Sequence, residues 1–276
     1  MSEAALIDWT FLDQPAFAVL EPVVRQRLAA CTRFPEPGEL IALGRGIPTA
    51  IPAWFEFAVQ ERAGLEAAGG YDQLIADSAR IPTRVGSYHD LLGALVWLHF
   101  PALKTALHRI QLAACSKQRG PRENAATHLD ESGVLLLSTA PEVFESLAAL
   151  RFRDLLWEQR SQLRQSTRFL GFGHGLLDSL RAPHPRLMGK ALLVQVTPAQ
   201  LALPASELRV LLDRALAAEL GAFLDGPSCL QPLPVLGVPG WAPGQTHEFY
   251  EDAAYFRGAR QRDRTPPPPT WLTLRP

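Results

Sequence analysis

The sequence predicts an α+β fold, helical for the greater part, with a small β-sheet or hairpin and a long Pro/Gly-rich C-terminal wrap. Three observations carry this prediction. Apolar residues recur at helical spacing through several long segments. The β-like segments are few, short and local, which argues against an alternating βαβ sheet. Residues 225–276 are rich in Pro and Gly, yet hold Leu233, Val235, Leu236, Trp241, Phe249, Tyr250, Tyr255 and Phe256, too many apolar groups for a disordered tail.

The elements follow in order. Asp13–Cys31 reads as an amphipathic helix with Phe17, Leu20, Val24 and Leu28 on one face, kinked or restarted at Pro22. Pro35–Pro52 is punctuated by Pro and Gly and reads as loop. Ile51–Val59 suits a strand or a buried segment, and Tyr71–Ala79 a helix. Ser87 caps the next helix, with Asp90 three residues on. That helix runs to Phe100, where Pro101 opens another with Leu103, Leu107, Ile110 and Ala114 as its apolar stripe. Asn124–Leu129 and Val134–Ser138 flank Asp130-Glu131-Ser132-Gly133, which reads as a hairpin turn with Gly133 at positive φ. Pro141–Leu150 and Phe152–Leu163 read as helices, Thr167–Phe172 as a strand and Leu176–Leu180 as a short helix. Ala191–Val196 is a strand, and Ser206–Leu224 a helix burying Leu208, Leu211, Leu212, Ala215 and Leu216. Residues 1–257 are expected to form one domain, with 258–276 a loose polyproline tail.

Composition excludes several classes of function. The net charge of −1 gives no field to recruit nucleic acid. No apolar run is long enough to span a bilayer. Met1–Pro15 carries Glu3, Asp8 and Asp13 with no basic residue, unlike a signal peptide. Cys31, Cys115 and Cys229 are isolated and odd in number, so a disulfide framework or structural zinc is not expected and a cytoplasmic location fits. All but three of the 27 basic residues are arginine, which reflects base composition more simply than selected phosphate binding. A homo-oligomer or a protein partner stays open.

Common catalytic signatures are missing: no Gly-x-Ser-x-Gly elbow, no HExxH, no GxxxxGK[ST] loop. Gly171-x-Gly173 meets Leu176 where a dinucleotide fingerprint needs glycine. His89-Asp90 has the form of a phosphohydrolase ligand pair, but such a site needs an upstream histidine and His89 is the first in the chain. What remains is a scatter of His and carboxylate groups. His89 sits in the first turn of its helix, where the positive dipole end favours a neutral imidazole fit for metal binding or base work. Asp130 and Glu131 are paired acids. His174, between two glycines at a strand-to-helix junction, is the foremost candidate because the backbone there can approach a ligand closely. Against each stands a plain reading: His89 and Asp90 as caps, Asp130-Glu131 as turn residues, Lys104 and His108 as one solvated helix face, and Arg257, Arg260, Arg262 and Arg264 as a solvated patch.

Several blocks together resemble one proteobacterial family. They are Thr83-Arg84, His89-Asp90-Leu91-Leu92, Ala94-Leu95-Val96-Trp97, Phe100-Pro101 with Lys104, Arg122 with Ala125 and Thr127, and Asp130-Glu131-Ser132-Gly133. Further on come Gly173-His174, Gly189-Lys190-Ala191-Leu192, the run Leu233 to Trp241, Phe249-Tyr250 and Tyr255-Phe256-Arg257. The chain is similar over about residues 50–257 to the domain of unknown function DUF3025. The resemblance implies a family and a set of candidate residues, and no activity comes with it. The chain departs from the pattern at Gly93 and His108, where asparagine is expected, which puts any polar site lined by those amides in doubt.

Two functions fit. In the first, an enzyme, His89, Asp130, Glu131 and His174 converge as the catalytic set. Lys104, Arg122 and Trp97 bind the substrate, an anionic small molecule, and hydrolysis is acid–base or assisted by a divalent metal. In the second, a non-catalytic binding or assembly module, Trp97, Trp241, Tyr250, Phe256 and the Pro-rich tail form a docking surface.

Overall fold

The structure, a computed structural model, describes residues 7–49, 52–113, 120–256 and 268–275. It has the expected α+β composition. Its centre is β3 (Gly133–Ser138), every residue of which is buried. An uninterrupted apolar strand of this kind must be covered on both faces.

Short 3₁₀ turns, Thr10–Asp13 and Pro15–Phe17, precede α1 (Pro22–Ala29), so Pro22 starts the helix instead of bending a longer one. Phe17, Leu20, Val24 and Leu28 are buried on one side as the spacing requires. The expected loop at 35–52 contains α2 (Pro37–Leu43). Pro37 fits N1 without loss, and the Glu39 carboxylate accepts the Glu36 N–H at 2.8 Å to close the first turn. β1 (Glu56–Val59), α3 (Arg62–Ala68), α4 (Tyr71–Ser78) and β2 (Arg80–Thr83) form a small lobe in which β1 and β2 pair in parallel.

The elbow that follows was legible in sequence. α5 (Tyr88–His99) is capped by Ser87, whose hydroxyl accepts the Asp90 N–H at 3.2 Å. α6 (Pro101–Leu112) begins after Phe100, with Leu103, Leu107 and Ile110 buried. Ala114 lies outside the described residues. The cap of α6 comes from elsewhere: Asp213 accepts the Ala102 and Leu103 N–H groups at 3.2 and 2.8 Å.

The expected hairpin at 124–138 is instead α7 (Pro121–Ser132) running directly into β3. Pro121 at N1, Glu123 accepting the Gly120 N–H at 2.9 Å, and the buried stripe Ala125, Ala126 and Leu129 select helix. Gly133 has φ −70°, not positive. Glycine is required there because a Cβ would lie 2.1 Å from the Leu129 carbonyl oxygen.

Then come α8 (Pro141–Ala148), a π-helical turn at Asp154–Glu158, α9 (Arg160–Ser166), β4 (Thr167–Gly171), α10 (His174–Arg181), β5 (Met188–Gln195), α11 (Pro198–Leu201) and α12 (Ala205–Phe223). α12 buries Leu208, Leu212, Leu216 and Leu220. The C-terminal wrap supplies β6 (Gln231–Pro234), the short α13 (His247–Tyr250) and β7 (Leu272–Thr273). β3 pairs antiparallel with β4 and parallel with β5. The other edge of β5 is shared, by β6 along Met188–Ala191 and by β7 at Val194–Gln195. Residues 268–275 are therefore not a loose end. Leu274 is buried and the strand pairing gives the terminus backbone partners. Arg257, Arg260, Arg262 and Arg264 lie outside the described residues. No described helix is long and apolar enough to cross a membrane.

A buried polar knot ties the N-terminal segment to this frame. His99, fully buried, donates from Nδ1 to the Leu95 carbonyl at 2.7 Å and accepts the Glu21 N–H on Nε2 at 2.9 Å. Arg209 of α12 pairs with the Glu21 carboxylate and donates to the Val19 carbonyl at 3.2 Å. Burial, and next the charge of Arg209, pull the His99 pKa down from 6.5 to about 3. The unfolded chain therefore takes up a proton below pH 6.5 that the folded one refuses, and stability falls as pH drops through that window. Urea midpoints should show the native chain losing about 2–3 kcal/mol more than His99→Gln between pH 7 and about 4.5.

Candidate metal centre

Two chain junctions meet at the site. α7 passes into β3 at Gly133, and β4 passes into α10 at Gly173. The Phe172 and Gly173 N–H groups both donate to the Gly133 carbonyl, at 3.0 and 2.8 Å. A Cβ on Gly173 would stand 2.2 Å from the Gly133 nitrogen, so only glycine lets the junctions touch. This crossing sets the end of α7, with Asp130 and Glu131, against the start of α10, with His174. Gly175 serves in the same way. A Cβ there would lie 2.5 Å from Glu131 Oε2, so its absence admits the carboxylate to the first turn of α10.

The side chains then converge. His174 Nδ1 donates to the Asp130 carbonyl at 2.9 Å. That bond fixes the tautomer and leaves the Nε2 lone pair free, 3.5 Å from Glu131 Oε1. His89, from the first turn of α5, sets its ring 4.5 Å from that of His174, at 61°. One donor atom each of His89, Glu131 and His174 lies within 4.8 Å of the others. Gly93, one turn beyond His89, faces the His174 ring, and a Cβ there would make an ordinary contact 3.5 Å from its Cδ2.

Behind His174 lies a buried ion pair. Lys104 of α6 donates to the Asp130 carboxylate, which also stands 3.7 Å from His174 Nδ1. Burial opposes ionisation of Asp130, but the Lys104 ammonium and His174 outweigh it and hold the carboxyl far below the usual range. Burial likewise pulls His174 down, but the hydrogen bond and charge of Asp130 raise it above the ordinary histidine value. Lys104 and His108 are thus not a solvated face. Both are buried, and His108 Nδ1 lies 3.1 Å from Asp72 of α4.

These groups line one cavity of about 350 Å³ between α5, α6, α7, α10 and the β1–β2 lobe. It holds His89, Asp130, Glu131, His174, Lys104 and Trp97 among the sequence candidates. Arg122 is not in it. It sits at the opposite end of α7 and donates to the Gly221 carbonyl at the end of α12. Tyr71, Asp72 and Arg84 line the cavity and went unremarked as site residues in the sequence. Thr83-Arg84 stood in a family block, which was the one available signal. The Tyr71 hydroxyl points into the cavity although the residue as a whole is 42 % exposed; enclosure there, and then the charges of Asp130, Asp72 and Asp90, push its pKa up, so it remains a proton donor. The aromatic docking surface is not formed by the residues expected of it: Trp97, Trp241, Tyr250 and Phe256 are all buried in the core.

The charge balance is informative. Four carboxylates (Asp72, Asp90, Asp130 and Glu131) face two permanent cations, Arg84 and Lys104. Asp130 and Glu131 also occupy the last turn of α7, where the helix dipole disfavours anions. A divalent cation among His89, Glu131 and His174 would offset that excess. Removing one member of the buried pair should be costly. Lys104→Met should lower stability by about 3–5 kcal/mol, and Lys104→Met with Asp130→Asn should recover much of it in urea unfolding. Gly173→Ala should cost about 1–3 kcal/mol by the same measurement, because backbone must shift to admit the methyl group.

Comparison with curated proteins finds no match, and neither does comparison with solved structures. One family model does match, over residues 55–260, and the whole lining of the cavity, from Gln60 to His174, falls within that stretch. By that match the chain belongs to the family described as a protein of unknown function, DUF3025.

Proposed function

We propose that the chain is a metal-assisted hydrolase of a small molecule, with a divalent transition metal held by His89 Nδ1 or Nε2, a Glu131 carboxylate oxygen and His174 Nε2. The observation that carries this reading is the convergence of three donors within 4.8 Å at the edge of a cavity, with the His174 tautomer already fixed for ligation. Tetrahedral metal bonds of about 2.0–2.2 Å set donors about 3.3–3.6 Å apart, so the three side chains would draw slightly inward around an ion. Two imidazoles and one carboxylate with open positions are a ligand set suited to hydrolytic zinc and related ions. A bound ion would supply a Lewis acid and an activated water.

The chain's own groups have distinct parts. The Asp130 carbonyl holds His174 in orientation, and the Asp130 carboxylate, neutralised by Lys104, supports the basicity of its ring. The backbone of α10's first turn lies close against the Glu131 carboxylate. Tyr71 offers a hydroxyl proton to charge developing in the cavity.

Protein purified without chelator or affinity metal should carry close to one equivalent of a transition metal by mass spectrometry. His174→Ala and Glu131→Gln should lose it while remaining folded by circular dichroism. Metal-free native protein, still unable to take up added zinc or cobalt, would defeat the reading.

A further inference from the structure

We infer that the substrate is asymmetric, with a metal-binding oxygen group at one end and a flat aromatic or other apolar group at the other, and that it brings no second anionic group into the cavity. This rests on the metal-centre reading above and names the substrate class of that same centre.

The first argument is spacing. His89, Gly93 and Trp97 follow at four-residue steps on one face of α5, and all three line the cavity. His174 rests over Gly93, and Trp97 stands one turn further, about 6 Å along the axis. Trp97 itself is buried, with Lys104 Nζ 5.2 Å over its ring, so it stands behind the cavity wall and offers no open face of its own. Phe55 and Trp54 back the indole, with ring centroids 5.5 and 6.3 Å away, so it is held in place. Tyr71, 42 % exposed, is the aromatic residue the wall presents, beside the buried Ile81, Pro82 and Ala94. Rings of this kind take planar groups by stacking or edge contact.

The second argument is that the cavity's cations are already matched. Lys104 is spent on Asp130. Arg84 donates to Asp90 from its backbone N–H at 2.7 Å, from Nε at 3.0 Å and from Nη2 at 2.7 Å. Among the described residues, no other lysine or arginine lines the cavity. A substrate anion or polarised oxygen thus finds its partner at the metal, while a second carboxylate would face Asp72, Asp90 and Asp130.

Hydroxamates test this directly, because they bind such metals through two oxygens and differ only in what they carry beyond. Apoprotein is reloaded with one equivalent of Co²⁺, uptake is measured, and three probes are titrated by visible absorption: acetohydroxamate, 3-phenylpropanohydroxamate and the monohydroxamate of succinic acid. The phenyl probe should bind at least about tenfold more tightly than acetohydroxamate, as burial of one ring implies. The succinate probe should bind no better than acetohydroxamate. The phenyl advantage should shrink in Tyr71→Ala, a change at a residue 42 % exposed that spares the core. Cobalt uptake with equal affinities, with the succinate probe strongest, or with a phenyl advantage unchanged in Tyr71→Ala, would overturn this inference alone. Failure to take up cobalt would overturn the metal reading and this inference with it.

Discussion

The site depends on one close approach, the backbone crossing of Gly133 and Gly173. Both N–H groups at the head of α10 share the Gly133 carbonyl, and neither glycine has room for a methyl group. The placement of Glu131 against His174 follows from that contact. It fixes where the last turn of α7 ends and where α10 begins, and so places two carboxylates and an imidazole on either side of a gap of a few ångströms. The sheet makes the crossing rigid, because β3 and β4 are hydrogen-bonded neighbours and the two junctions are their adjoining ends.

Around that contact the charges form a sequence. Lys104 neutralises Asp130, Asp130 orients His174, and His174 turns its free nitrogen towards Glu131 and His89. A buried ion pair is seldom the cheapest way to hold helices together, since apolar packing of equal volume often does as well. Its presence here is better understood as support for the imidazole beside it. The anionic excess at the end of α7 points the same way, because it stays unfavourable until a cation shares it. The apolar wall that presents Tyr71 gives the cavity a second character, polar at one end and aromatic at the other.

The helices were largely legible in sequence because their signals are local. Ser87 caps α5, Pro101 opens α6, and the leucine stripe of α12 repeats at helical spacing. The misreadings have local causes as well. Asp130-Glu131-Ser132-Gly133 has the composition of a turn, and nothing within those four residues shows that Gly133 is small to let a carbonyl approach. The capping box of α2 was hidden among prolines and glycines. β7 owes its existence to a partner almost eighty residues earlier, which no local pattern can reveal.

Fold class, family blocks and the residue types of the candidate site can be read along the chain, because periodicity, caps and composition act over a few residues. The sequence also singled out His89, Asp130, Glu131 and His174, since each sits where backbone geometry aims a side chain. Only the tertiary structure decided that these four converge, that Lys104 is spent on Asp130, that Arg122 belongs elsewhere, and that the C-terminal aromatics are core. The physical reason is distance along the chain. His89 and His174 are far apart in sequence, and they meet because α5 packs against α10, a contact that exists only in the folded chain.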